Sequence, residues 1–160
     1  MEEELRARLV ELLTNSQAHM GFDEAIKDFP LTEINTKFPH GEYSAWGLLE
    51  HIRLTQADIW EFVAAPKYKE KIWPKDYWPD PNIKATTKLW QDTIDQYLVD
   101  LNNIVILVKD PKTNLAAKVP NGTGQTLLRE ILVVADHTAY HIGEFAILRQ
   151  VMGTWRERSF

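Results

Sequence analysis

The chain has 160 residues, 44% of them apolar and 26% charged, with 18 Lys+Arg against 23 Asp+Glu for a net charge of −5. That is too apolar for a disordered chain, and long enough for one domain, residues 1–160, with a core of its own. The acidic balance gives no basic footprint for nucleic acid.

Cysteine is absent. Disulfides, thiolate metal sites and a cysteine nucleophile are therefore excluded, and any thiol in the chemistry must come from a substrate or cosubstrate. The first residues, Met1-Glu2-Glu3-Glu4, are acidic where a secretory leader is basic. The longest apolar runs, Ile104–Val108 and Ile131–Ala135, are five residues each; a membrane span needs ~20. The expectation is a cytoplasmic protein without a membrane partner.

Four stretches carry apolar residues at alternating steps of three and four, the signature of a helix with one buried face. The first runs from about Glu2 to Met20, with Leu5, Leu9, Leu12, Ser16 and His19 on its stripe. The second runs from Ala45 to Ala64 behind an N-cap at Ser44, with Leu48, Ile52, Thr55, Ile59 and Phe62, and stops before Pro66. The third opens on Asp80 as cap and Pro81 as first helical residue. It carries Ile83, Thr87, Trp90, Ile94, Tyr97, Leu101, Ile104 and Val108 up to Pro111. The fourth follows Asn121-Gly122-Thr123-Gly124 and places Leu127, Ile131, Val134, Thr138, His141, Phe145, Leu148 and Met152 on its seam before Gly153.

No segment shows a strand alternation, so the predicted class is all-α, a four-helix bundle burying four stripes. The long connection from Ala65 to Asp80 is rich in Trp and Pro (Pro66, Trp73, Pro74, Trp78, Pro79). A link of that length can cross the bundle. It reads as a lid on the bundle end, a substrate wall or a dimer contact.

Of the five histidines, His137 and His141 form HxxxH, two imidazoles one helical turn apart and able to share a metal ion. Thr138 stands where zinc peptidases carry a glutamate base, so that mechanism has no support. A third ligand would complete an open, catalytic-type site. His51, at the edge of the second stripe, is the best placed. Spacing does not exclude His19 or His40, although His40 follows Pro39 in a loop and reads as solvated.

The segments Ser44-Ala-Trp-Gly-Leu-Leu-Glu-His51-Ile and Leu127-Leu-Arg-Glu-Ile-Leu-Val-Val-Ala-Asp-His137-Thr-Ala-Tyr-His141-Ile-Gly together resemble the DinB/YfiT-like family. Its mark is one histidine in the second helix and an HxxxH pair in the last. The resemblance spans nearly the whole chain. It implies a bundle in up-down-down-up order, a divalent metal (zinc or nickel) on His51, His137 and His141, and a homodimer. Members include S-transferases that use low-molecular-weight thiols and a maleylpyruvate isomerase branch; nothing in this chain selects one branch.

Three neutral imidazoles leave the charge of such an ion uncompensated, so its open position favours hydroxide or thiolate. The site would then serve hydrolysis or thiol S-transfer on a small-molecule substrate. Asp136 or Glu144 could orient a ligand imidazole, or be merely solvated or salt-bridged. Tyr140 could donate a proton or pack between helices. The Asn121-Gly122-Thr123-Gly124 turn lacks a P-loop lysine and reads as turn plus cap. The competing reading, from another class, is a non-catalytic metal-binding helical module acting in partner binding or sensing, whose metal would carry four protein ligands.

Overall fold

A computed structural model describes residues 1–15 and 17–155. Among them the protein is all-helical: α1 (Glu2–Thr14), α2 (Phe22–Ile26), α3 (Ala45–Ala64), α4 (Thr87–Lys109) and α5 (Leu127–Met152). No strand forms among the described residues. Two isolated antiparallel bridges occur, Lys37–Ser44 and Lys118–Thr126. Each ends on the N-cap of a long helix, so the chain is pinned just where α3 and α5 begin.

The caps follow elementary hydrogen-bonding needs. Ser44 Oγ accepts from the Gly47 amide, Thr86 Oγ1 from Leu89 and Thr126 Oγ1 from Arg129, each satisfying an otherwise orphaned N–H. Gly153, at φ 64°, closes α5 in the left-handed conformation that glycine adopts without steric cost. Asn121, from the turn before α5, donates to the carbonyls of Phe62 and Ala65 and so covers the C-terminal end of α3.

Two boundaries differ from the sequence expectation. The first helix ends at Thr14, with Asn15 extended at φ −117°; Asn-Ser-Gln is a poor helix continuation because such side chains compete for backbone hydrogen bonds. Its buried residues are Arg6, Leu9 and Leu13, whereas Leu5 and Leu12 of the expected stripe are exposed. Ser16 lies outside the described residues, and His19 is exposed beyond the helix.

The other boundary is the start of the third long helix, at Thr87 rather than Pro81. The Asp80 carboxylate accepts from the Asn82 amide and its carbonyl from Ile83. Asp-Pro therefore opens a turn, for which these two residues are equally suited. Ile83 is left exposed, and the connection from α3 extends over residues 65–86. Its far end is fastened by Asn35, which exchanges two hydrogen bonds with the Ala85 backbone.

Contacts between the helices have a definite order. Along α3 and α4 the residue numbers rise together: Trp46 bonds Thr93, and further along Gln56 bonds the Tyr97 carbonyl. Along α3 and α5 they run oppositely: Tyr43, just before α3, meets Glu144, His51 meets His141, and the C-terminal end of α3 meets Asn121. Arg6, near the start of α1, donates to the carbonyls of Val108, Asp110 and Thr113 at and beyond the end of α4.

The core has two parts. One gathers Trp46, Trp90, Tyr97, Phe145 and Leu148 around α3, α4 and α5 with Phe22 and Phe29; the other joins Leu9 and Leu13 to Ile104, Val108, Ile131 and Val134. Fully burying one such side chain is worth about 1.5–3 kcal/mol. Helix α5 is long and apolar enough to cross a membrane. Its apolar residues, however, include the core positions Ile131, Val134, Phe145 and Leu148, and it also buries Glu130, His141 and Arg149.

Candidate metal centre

The antiparallel contact of α3 with α5 brings together three residues far apart in sequence. His51 Nε2 lies 3.1 Å from His141 Nε2 and 3.2 Å from His137 Nε2. One ligand atom from each of the three lies within 4.8 Å of the others. His51 and His141 are buried and His137 half-buried. His19 and His40 are exposed and stand apart from this cluster; His19 Nδ1 pairs with the neighbouring Met20 carbonyl.

For two of the rings the environment fixes which nitrogen is free. His51 Nδ1 is 2.6 Å from the Tyr77 carbonyl, and His141 Nδ1 is 2.5 Å from Glu144 Oε2. Both partners only accept, so each Nδ1 carries the proton and each Nε2 a lone pair. These two nitrogens and His137 Nε2 lie together at the α3–α5 contact.

The Nε2 lone pairs of His51 and His141, 3.1 Å apart, repel unless a proton or a metal cation lies between them. Tetrahedral zinc–imidazole bonds of about 2.0–2.1 Å put ligand nitrogens about 3.3–3.4 Å apart, close to the separations here. The donor set therefore fits a divalent metal. Burial reinforces it: desolvation, then the neighbouring His141 and His51, push the His137 pKa down to about 3, and desolvation lowers that of His51 despite its carbonyl bond. Both rings are neutral at ordinary pH.

Around the imidazoles stands a second set of contacts. The other oxygen of Glu144 accepts from the Tyr43 hydroxyl at 3.0 Å. Burial, then Glu144, raises Tyr43 to about 12, so it remains a donor. Trp78 stacks on the His51 ring at 4.0 Å between centroids and 3° between planes. Trp73 and Tyr140 approach His51 and His141 edge-on at 6.3 and 4.8 Å, and both are about two-thirds exposed. Of the two carboxylates considered from sequence, Glu144 bonds a triad imidazole, while Asp136 is exposed. Tyr43, Tyr77 and Trp78 were not identifiable from sequence as site residues. Nothing in their spacing relates them to His51; the Trp/Pro-rich composition of the connection was the one available signal.

A comparison with protein-family models matches residues 4–145 to the DinB superfamily. The chain belongs to this superfamily. The match covers α1 through most of α5, including all three histidines. No curated protein and no solved structure gives a significant match.

Beside the DinB-like triad, on the other side of Tyr43 and Trp78, lies an open cavity of about 710 Å³. Trp46, Trp78, Pro79 and Ile83 give it an apolar lining, and Lys37, Lys75 and Lys84 stand beside Glu42 and Asp80 at its polar part. That volume is in the range of small-molecule sites. The three histidines do not line it.

Proposed function

We propose that this protein is a divalent-metal-dependent enzyme of the DinB type, acting on a small molecule with water or a low-molecular-weight thiol as nucleophile. The observation that carries the reading is the convergence of three Nε2 atoms, two of them held in place by Nδ1–H bonds to Tyr77 O and Glu144. His51, His137 and His141 would hold zinc or nickel. When bound, the ion would lower the pKa of a coordinated water or thiol toward neutrality.

The chain's own groups have definable tasks. His51 and His137 are neutral, and Glu144, one hydrogen bond away, supplies negative charge to the His141 side. This leaves the centre electrophilic. Tyr43 fixes Glu144. Trp78 covers one face of His51 and limits water there. The cavity against Tyr43 and Trp78 offers an apolar surface, edged by charges of both signs, for the body of a small-molecule substrate.

The same reading takes residues 1–160 as one domain, a four-helix bundle of α1, α3, α4 and α5 in up-down-down-up order. The shared direction of contacts along α3 and α4 supports that order. Cytoplasmic residence and a homodimer complete the proposal.

The test is cobalt-loaded protein titrated with a small thiol. A thiolate-to-cobalt absorption band, with S-transfer or hydrolytic turnover lost in His137→Ala, is expected. An ion that binds but admits neither thiol nor water would favour a closed metal-binding module instead.

A further inference from the structure

The connection between α3 and α4 is tied back onto α3 through Asp58, which is buried at 7% exposure. Tyr68 donates to Asp58 Oδ1 at 2.9 Å and Tyr77 to Oδ2 at 2.7 Å. Asp58 lies seven residues, two helical turns, beyond His51, on the same face of α3. The residue whose hydroxyl is held by Asp58 is also the one whose carbonyl accepts from His51 Nδ1, at 2.6 Å. The next residue, Trp78, is the ring stacked flat on His51. Two constraints on one imidazole, its in-plane hydrogen bond and its covered face, thus come from adjacent residues anchored at one carboxylate. Burial, reinforced by Asp58, keeps both tyrosines protonated and so donating.

We propose that Asp58 and Tyr77 are positioning residues for the metal site: the Asp58–Tyr77 bond sets the carbonyl and indole that fix the tautomer and orientation of His51. The inference rests on the three-histidine reading above. A carbonyl partner of a metal-bound imidazole raises its basicity and limits its rotation, and loss of such partners costs about 10–100-fold in affinity. Tyr68 provides a comparison: it shares Asp58 with Tyr77 and hydrogen-bonds the Tyr77 side chain, but neither its own carbonyl nor its neighbours in sequence contact His51, so its loss leaves the Asp58–Tyr77 bond in place. The connection is separately fastened by Asn35 at Ala85, so losing one hydroxyl need not release it.

The experiment measures zinc dissociation constants by chelator competition, cobalt absorption spectra and melting temperatures for the parent, Tyr68→Phe, Tyr77→Phe and Asp58→Ala. Tyr77→Phe and Asp58→Ala should weaken zinc binding about tenfold and perturb the cobalt spectrum. Tyr68→Phe should lower the melting temperature as Tyr77→Phe does, while keeping the parent affinity and spectrum. Parent-like zinc binding by Tyr77→Phe, or equal weakening by both tyrosine variants, would overturn the positioning role and leave the metal site standing. A parent that binds no zinc would instead overturn the metal reading itself.

Discussion

His141 and Glu144 lie one turn apart on α5, with the imidazole Nδ1 2.5 Å from the carboxylate. This contact orients the ring, turns its Nε2 lone pair toward His51 and places a negative charge one bond behind the centre. Glu144→Ala should therefore weaken zinc binding by about 10–100-fold. Glu144→Gln, whose amide oxygen still accepts from Nδ1–H, should lose less. Tyr43→Phe, acting only through Glu144, should have the smallest effect of the three. Calorimetric titration distinguishes this order from equal losses, which would assign Glu144 a purely structural part.

The lowered histidine pKa values have a defined consequence for the metal-free protein. Unfolded imidazoles titrate near 6.5, whereas folded His137 resists protonation down to about 3, and His51 is shifted the same way. Below pH 6.5 the unfolded chain binds more protons than the folded one, so stability falls as pH decreases. Above 6.5 these groups add no slope. Urea unfolding between pH 7.5 and 5 should show this loss, and His137→Ala should flatten it.

Metal should add stability without being needed for folding. The two core clusters contain no triad residue, so metal-free protein should melt cooperatively. An ion bound only by the folded state adds ~2.7 kcal/mol at a hundredfold excess over its dissociation constant. Calorimetry should show an upward shift of the melting temperature with zinc. A metal-free protein lacking a cooperative transition would make the site a structural one.

Arg149 gives a prediction confined to stability. It is 1% exposed, donates to the carbonyls of Ala25, Lys27 and Thr154, and stacks on Trp155 at 4.0 Å. It fastens α5 to α2 and the segment after it. Hydrogen bonds to a charged group are worth about 1.5–3 kcal/mol each, and the carbonyls it leaves would be partly rehydrated. Arg149→Ala should destabilise by about 3 kcal/mol, read by urea unfolding, with zinc affinity in the surviving folded protein unchanged.

Much of this arrangement is legible in the sequence because it is periodic or local. Ser44 caps a helix that ends before Pro66, Gly153 closes α5, and the steps of three and four from Trp90 to Val108 mark a face that is largely buried. HxxxH is likewise local, and the resemblance named His51. What was hidden depends on non-local or ambiguous signals. Asp80-Pro81 suits a turn as well as a helix start. Leu5 and Leu12 fit the stripe of α1, yet the face that packs is set by Arg6 reaching the end of α4. Tyr77 and Trp78 reach His51, and Tyr43 reaches Glu144, only because α3 and α5 cross beside the returning connection.

The central claim is that His51, His137 and His141 bind one divalent ion and leave it open to a nucleophile. The most direct measurement is a crystal structure of zinc-loaded protein purified without a histidine tag, with metal content determined on the same sample. One ion per chain is expected, with Nε2 of all three histidines at about 2.0–2.1 Å and the remaining position held by water, thiol or another small ligand. An absent ion, an ion ligated elsewhere, or a fourth protein ligand closing the site would contradict the account.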